Sequence, residues 1–466
     1  MWINHDKFLG MNYKPVIGLE IHAELNTKTK MFCDSLNDPD EKHPNVNVCP
    51  ICMGHPGTIP VANFDAVKKV ILAGLALNCQ INKETFFERK NYFYPDLPKG
   101  YQISQYQKPF CENGYLDIGG KRIRITRIHL EEDAGRLYHL PGKDYSLVDY
   151  NRAGVPLMEL VTEPDLESGQ EVRKFAEELQ LIWKYLGISD ADMEKGQMRV
   201  EVNISLTGED GKWGTKVEIK NLNSIKFAAD AVDYEIKRQS EILDNGEKVS
   251  QETRGWDENK RSTFSQRSKE EAHDYRYFPE PDLPPVELTE EEIRGIRADI
   301  PELPSQRRAR FKEQYGLPDA DINLFTVSKL LGDYFEHVAS ELLSFDKLDH
   351  LKKPPPEEQN KLFKLAANYL ITELKRMADA VLAEPADTKI TPEMFADLVV
   401  RVFHNQVSSS GAQTVLKEMF EAGTSPKQII KEKDLEQVSN AGELEMAVDK
   451  AIANNSQAVE DYKKGK

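Results

Sequence analysis

The chain lacks the features of secreted, disulfide-bonded and membrane-spanning proteins. Its 466 residues include five cysteines, neither even in number nor dense enough for a disulfide scaffold. The longest apolar run, residues 70–77, is far shorter than the roughly 20 residues that a membrane-spanning helix needs. The N-terminus shows no apolar segment of a secretory signal. We therefore expect a cytoplasmic protein of two or three domains that does not contact membranes.

A surplus of positive charge is also absent. The formal net charge is −17. Proteins bind nucleic acid largely by neutralising phosphates, so the overall charge gives no support for an RNA-binding function. RNA contact would require a local basic face or a partner subunit that shares the RNA surface.

The sequence contains neither a Walker A motif nor the glycine-rich loop of protein kinases, so any nucleotide site is of another kind. It contains clustered carboxylates instead. Residues 16–25 alternate as a strand, which places Glu20 and His22 on one face about 7 Å apart. Further acids follow in residues 129–135, which include Glu131 and Glu132, and at Glu159. Since magnesium takes one or two carboxylates together with phosphate oxygens and water, several strands could jointly hold Mg–ATP.

Two later segments predict a pair of strands with one polar face. Residues 197–206 and 215–220 both alternate between apolar and polar side chains. If they pair as a hairpin, Glu201 and Glu218 lie on the same face. A solvated sheet surface is the alternative interpretation.

Helix signals and proline-rich breaks outline the organisation of the chain. Ser168 and Glu171 predict a capping box, and the helix that follows ends at Gly187. A proline-rich stretch at residues 278–285 is typical of an extended linker. The sequence that follows it predicts mainly helices. A second break lies at residues 384–388, before a helix start at Thr391 and Pro392.

Three cysteines form a candidate zinc site. Cys49 and Cys52 have the C-x-x-C spacing of a zinc half-site, and Cys33 precedes them. His43 or His55 could be a fourth ligand; three unrelated thiols are the alternative. The aromatic segment at residues 91–104 could grip an RNA base or simply belong to a domain core.

Several sequence blocks resemble one known family. In the family's order they are residues 18–22, 49–52, 89–100, 129–135, 149–160, 219–224, 253–257 and 274–284. Residues 149–160, DYNRAGVPLMEL, resemble the signature of the B subunits of aspartyl/glutamyl-tRNA amidotransferases. The similarity extends from about Lys14 to the end of the chain.

This resemblance implies an α+β fold. A cradle-like mixed-sheet domain (1–290) would bind ATP, magnesium and the aminoacyl end of the tRNA. A helical domain (291–385) and a small all-α, tRNA-binding tail (386–466), shortened relative to the family, would follow. The implied partners are an amidase subunit (A), a small linker subunit (C) and Glu-tRNA(Gln) or Asp-tRNA(Asn). The amidase would release ammonia, which reacts with the carboxylate that ATP has activated.

The resemblance also assigns residues to these roles. It implies that His22, Glu132 and Glu159 bind magnesium with Glu20 beside them, and that Glu201 and Glu218 complete the acidic set. Lys216 and Lys220 are implied helpers at the cofactor, and which of Glu131 and Glu132 faces the metal stays open. Two positions depart from the family: residues 33–35 read Cys-Asp-Ser where zinc-binding members have C-x-C, and Glu201 stands where Asp is usual.

Two other functions remain as alternatives. One is a non-catalytic tRNA-binding adaptor with the same fold, which would have no reason to keep the acidic residues together. The other is an independent ATP-dependent carboxylate ligase for a small molecule, in which the helical tail would be surplus.

Overall fold

A computed structural model describes residues 13–208, 211–268, 274–344, 355–437, 441–455, 458–459 and 462. The chain divides into two compact units, Met1–Leu303 and Pro304–Lys466. The first contains a large mixed sheet and the second is helical, which confirms the predicted α+β class. None of the helices among the described residues combines the length and apolarity required to cross a membrane.

The strands all lie in the first unit. They are β1 (Lys14–Glu24), β2 (Gln80–Ile81), β3 (Glu84–Thr85), β4 (Glu88–Asn91), β5 (Tyr101–Ser104), β6 (Cys111–Asp117), β7 (Arg122–Glu132), β8 (Arg136–His139), β9 (Ser146–Asp149), β10 (Pro156–Thr162), β11 (Met198–Thr207), β12 (Val217–Lys220), β13 (Glu252–Asp257), β14 (Ser262–Ser268), β15 (Phe278–Pro279) and β16 (Val286–Glu287).

The α-helices occur in both units. They are α1 (Phe64–Ala76), α2 (Gly169–Leu186), α3 (Ile225–Asp244), α4 (Glu290–Ala298), α5 (Pro304–Tyr315), α6 (Asp319–Val327), α7 (Lys329–Leu343), α8 (Pro356–Tyr369), α9 (Lys375–Asp379), α10 (Pro392–Phe403), α11 (Ser409–Ala422), α12 (Pro426–Glu432) and α13 (Ala441–Asn454). A π-helical turn, Leu370–Leu374, joins α8 to α9.

Nine strands form the large sheet in the order β14-β13-β12-β11-β1-β10-β7-β6-β2. β1 lies at its centre and pairs antiparallel with β11 and β10. The predicted pairing of residues 197–206 with 215–220 is confirmed, since Val202 is opposite Ile219. One face of the sheet is apolar and belongs to the core of the first unit.

Helix α2 follows its sequence signals with one difference. Ser168 accepts a hydrogen bond from Glu171 N (3.2 Å), and Gly187 ends the helix with a φ of 64°, a conformation that glycine adopts without strain. The Glu171 carboxylate accepts its bond from Glu167 N rather than from Ser168 N. The predicted capping box is therefore only half formed.

The first unit ends later than the predicted boundary at residue 290. Ile293 and Ile296 of α4 are buried in its core, and β15 and β16 pair with β4 and β3. The proline-rich stretch is thus packed against the sheet unit and is not a free linker. In the second unit one apolar core includes Phe311 and extends to Ile430, so the predicted separation at residue 385 stays a prediction.

Candidate active site

The acidic residues meet on one surface of the large sheet. In β1, His22 is opposite Glu159 of β10 on one side and Arg199 of β11 on the other, and Glu20 is opposite Glu201. Cross-strand partners project to the same face of a sheet, so these five side chains share one surface. Register extends the surface to β7 and β12. We call it the polar face, made up of Glu20, His22, Arg127, His129, Glu131, Glu159, Arg199, Glu201, Glu218 and Lys220.

A compact group of potential metal ligands lies at the centre of the polar face. The ligand atoms of Glu20, His22 and Glu159 all lie within 4.8 Å of one another. His22 Nε2 is 3.4 Å from a Glu159 oxygen and 3.6 Å from a Glu131 oxygen. His129, Glu131 and Glu159 form a second such group, so Glu159 belongs to both. Carboxylate oxygens at this density suit a hard divalent cation such as Mg²⁺.

Glu131, and not Glu132, belongs to this group. Glu159 is opposite His129, and Glu131, two residues further along β7, projects to the same side. The Glu132 carboxylate turns to the other side, where it is ion-paired with Lys99 and accepts a hydrogen bond from Ile103 N (2.9 Å). The β10–β7 register thus brings Glu131, and not Glu132, beside His22 and Glu159, and a magnesium-binding role for Glu132 stays a prediction.

The ionisable side chains of this group shift one another's pKa values. Burial disfavours the charged imidazole of His22, but the hydrogen bond and charge of Glu159, with Glu131 and Glu20, outweigh it and raise the pKa of His22 to about 9. Burial also opposes ionisation of Glu159, yet His129 and His22 hold its pKa well below its usual range. Burial and the charge of Glu159 raise the pKa of Glu20. A divalent cation bound here would therefore compete with the proton on His22.

The remaining predicted site residues are Glu201, Glu218, Lys216 and Lys220. Three of them are linked by ion pairs, and Lys216 is exposed. Lys220 Nζ lies 2.6 Å from a Glu201 oxygen and 3.3 Å from a Glu218 oxygen. These three residues thus form one ion-paired group on the polar face, beside Glu20. Lys216 precedes β12 and is exposed, and within the described parts of the chain it makes no ion pair with the acidic residues.

Sequence reasoning missed three cations of the site. Lys90 of β4 lies over the rings of Tyr275 (5.2 Å) and Tyr92 (5.9 Å), and its charge helps to lower the pKa of Glu131 against the effect of burial. Arg127 contacts Glu159 at 3.5 Å. The third, Arg199, is held by Asp133. Lys90 adjoins the aromatic segment at residues 91–104, which was a usable signal, whereas Arg127 and Arg199 carry no sequence motif.

The three candidate zinc ligands also lie together, next to a buried lysine. The sulfur atoms of Cys33, Cys49 and Cys52 are within 4.8 Å of one another. Lys30, which is fully buried, has its Nζ 3.9 Å from the Cys52 sulfur. The hydrogen bond from Cys33 outweighs burial and, with Lys30, lowers the pKa of Cys52 to about 5. Ser35 hydrogen-bonds the Cys33 thiol.

A fourth zinc ligand is not evident among the described residues. His43 is exposed and bonded to Glu41 (2.9 Å), and His55 is also exposed. A closed structural zinc site has four ligands, so this three-thiol group does not fit one. The cation that the structure places beside the three thiols is Lys30.

Comparisons with known proteins agree with this geometry. Residues 15–294 match the GatB/GatE catalytic domain, and residues 357–466 match the GatB domain. The B subunit of the aspartyl/glutamyl-tRNA(Asn/Gln) amidotransferase of Carboxydothermus hydrogenoformans is 48% identical over 462 residues, which cover 97% of this chain and 92% of that protein. The protein of the same name from Thermotoga petrophila is 45% identical over 465 residues, covering 98% of this chain and 93% of that protein.

The matched catalytic domain contains the whole polar face, and the relatives align with nearly the full chain. These similarities extend over both units, and they confirm the family that the sequence blocks resemble. The chain therefore belongs to the family of aspartyl/glutamyl-tRNA(Asn/Gln) amidotransferase B subunits.

Proposed function

We propose that this chain is the ATP-using subunit of a glutamine-dependent, tRNA-dependent amidotransferase, a carbon–nitrogen ligase. It would phosphorylate the side-chain carboxylate of Glu-tRNA(Gln), Asp-tRNA(Asn) or both, giving an acyl phosphate and ADP. Ammonia would then attack the acyl carbon and release phosphate, which leaves the amide. The observation that carries the proposal is the group formed by Glu20, His22, Glu131 and Glu159 on the polar face of the family's catalytic domain.

The residues of this group fit a magnesium site. Glu20 and Glu159 would supply oxygen ligands and His22 a neutral imidazole, while Glu131 takes the place predicted for Glu132. When bound, the metal would neutralise charge on the ATP phosphates as the phosphoryl group leaves. Glu201, Glu218 and Lys220 would border the nucleotide, and exposed Lys216 is the remaining candidate for a phosphate contact.

The proposed partners follow from the same family. An amidase subunit (A) and a small linker subunit (C) would complete a heterotrimer with this B subunit, and the amidase would supply the ammonia. The mischarged tRNA is the substrate. Its contact with the helical second unit is part of the proposal, as is a cytoplasmic location.

The alternative of a non-catalytic adaptor explains less of the structure. Glu131 and Glu159 are 2% and 5% exposed. Burying carboxylates destabilises a fold, and a non-catalytic adaptor would have no function that requires them. A small-molecule ligase would leave the second unit, which matches the GatB domain over residues 357–466, without a role.

The test of the proposed function is ATP turnover by the complex with its amidase partner. We expect hydrolysis that depends on Glu-tRNA(Gln), and a fall of about 10²-fold or more for Glu131→Gln, because that variant replaces a charged carboxylate of the proposed metal site by a neutral amide. Phosphate release at saturating ATP, with charged and with uncharged tRNA, is the measurement.

Two results would decide against this proposal. Wild-type complex that binds the mischarged tRNA but hydrolyses no ATP would favour the adaptor. ATP hydrolysis that does not depend on tRNA but increases when a small carboxylic acid is added would favour the independent ligase. Glu177→Gln on α2, whose side chain is exposed and paired with Arg173, is the matched control and should match wild type.

For the thiol group we propose that Lys30 balances the charge and that structural zinc is not required. Purified protein is expected to contain well under one zinc per chain, and a chelator should leave its melting temperature unchanged. Structural zinc contributes on the order of 10 kcal/mol to folding of small zinc domains, so its removal would be obvious. Stoichiometric zinc in elemental analysis, with a large fall in melting temperature on chelation, would contradict this proposal.

A further inference from the structure

We propose that Arg199 binds an oxyanion of the reaction on the polar face, either the side-chain carboxylate of the aminoacyl group or the terminal phosphate of ATP. This inference rests on the proposed function and adds a substrate-binding residue to it. The two ligands share the chemistry that a guanidinium recognises, since both present coplanar oxygen pairs to its fork of N–H groups.

The position of Arg199 brings it to the reaction centre. In the β1–β11 pairing it is the direct partner of His22, so both side chains project from the polar face. The Arg199 side chain is 38% exposed, compared with 13% for His22. The Arg199 side chain therefore lies on the same face as the proposed metal group and is partly accessible from solvent.

Asp133 fixes the orientation of the Arg199 side chain. Arg199 Nη2 donates to Asp133 Oδ2 at 2.5 Å, and Asp133 is 4% exposed. Asp133 is itself held, because its other oxygen accepts from Ala134 N at 2.8 Å. A guanidinium anchored in this way loses little freedom when it binds a ligand, which favours affinity.

Arg199 keeps donors available, in contrast to the second arginine at Asp133. Arg152 Nε and Nη2 donate to the backbone oxygens of Ala134 (2.9 Å) and Gly135 (2.8 Å). These donors of Arg152 are therefore used to hold the backbone at residues 134–135. Among the described residues the hydrogen-bond acceptor of Arg199 is Asp133, and a guanidinium has five N–H donors. Donors therefore remain for a ligand.

The other cations of the polar face are less suited to an incoming anion. Lys220 is held between Glu201 and Glu218, and Arg127 contacts Glu159. A carboxylate or phosphate that approaches so many acids is repelled unless a cation receives it. Among the described cations of the polar face, Arg199 has the most exposed side chain, at 38% against 36% for Lys220 and 28% for Arg127, and a buried carboxylate fixes its orientation.

The experiment compares Arg199→Gln with wild type in the complete complex through two binding measurements. One is the Kd of a non-hydrolysable ATP analogue with Mg²⁺, and the other is the KM for Glu-tRNA(Gln) at saturating ATP. We expect one of them to weaken about 10- to 100-fold, and the one that changes identifies the oxyanion. Binding of uncharged tRNA should stay unchanged, because it brings no side-chain carboxylate.

Arg199→Lys and Arg173→Gln complete the experiment. Arg199→Lys keeps the charge but loses the planar fork, so its Kd or KM should lie between those of wild type and Arg199→Gln. Arg199→Lys also replaces Arg199→Gln in the test if the latter does not fold. Arg173→Gln removes an exposed arginine from α2 and should behave as wild type. Unchanged Kd and KM in a folded Arg199 variant whose wild type shows tRNA-dependent turnover would overturn the inference and leave the proposed function intact.

Discussion

Glu159→Gln is expected to reduce tRNA-dependent ATP turnover by at least about 10³-fold, a loss of about 4 kcal/mol of transition-state stabilisation. Glu159 is shared by both groups of potential metal ligands, and its carboxylate lies 3.4 Å from both His22 Nε2 and His129 Nε2. Glutamine has the same size but a neutral amide, so the variant removes the charge while the space stays filled. The measurement is phosphate release by the complex at saturating ATP and Glu-tRNA(Gln).

A second measurement separates loss of metal from loss of fold. Mn²⁺ binding followed by electron paramagnetic resonance should weaken in Glu159→Gln, because one of the shared oxygen ligands becomes an amide. Glu167→Gln is the control, since Glu167 is 42% exposed and pairs with Lys14 at the surface. A Glu159→Gln variant that keeps wild-type Mn²⁺ affinity and activity within tenfold would show that the metal lies elsewhere.

Strand alternation in the sequence predicts correctly which side chains of a strand share one face of the sheet. Period-2 patterns place Glu20 beside His22, and the predicted hairpin puts Glu201 and Glu218 on one face, where Lys220 joins them. These predictions hold because a buried apolar face fixes which residues point outward within each strand.

The choice between Glu131 and Glu132 could not be made in this way. Both acids are buried, so neither shows the polar-outward signal that marks a strand face. The answer depends on the β10–β7 register, which sets Glu159 opposite His129. That register joins residues thirty positions apart in the sequence, and alternation within one strand carries no information about it.

Arg199 and Asp133 illustrate a second limit. Their hydrogen bond joins residues 66 positions apart, and an arginine in an alternating strand looks like any solvated residue. Only the order β11-β1-β10-β7 shows that it faces the acids. The packing of α4 is hidden from the sequence for a related reason: Ile293 and Ile296 lie in a helical segment beyond the predicted boundary at residue 290, yet they pack in the core of the first unit.

Glu235→Ala is expected to destabilise the first unit by about 3–5 kcal/mol, although Glu235 is not part of the polar face. The Glu235 side chain is fully buried in α3. Its two oxygens accept from Arg238 (2.8 Å each), and one lies 3.1 Å from Arg254 Nε of β13. Thr263 of β14 donates to the same carboxylate at 2.5 Å. Removing the carboxylate breaks its bonds to Arg238, Arg254 and Thr263. Glu252, 2.5 Å from Arg254 and 3.8 Å from Arg238, remains beside the two largely buried guanidinium groups but replaces only part of the lost negative charge, so the expected effect is large.

The four tryptophans make this prediction measurable in the full chain. Trp183, Trp213 and Trp256 lie in the described part of the first unit, and the sequence has no tryptophan after Leu303, so urea unfolding followed by tryptophan fluorescence reports on the first unit. Trp256 also packs against Tyr234, the neighbour of Glu235 on α3. Glu241→Ala, on the same helix but 65% exposed and paired with Lys237 at 3.8 Å, should change the free energy of unfolding by less than about 0.5 kcal/mol. A loss below about 1 kcal/mol for Glu235→Ala would mean that Arg238 and Arg254 reach water once the carboxylate is gone. In that case the link between α3 and the β13–β14 edge of the sheet would depend on apolar packing alone.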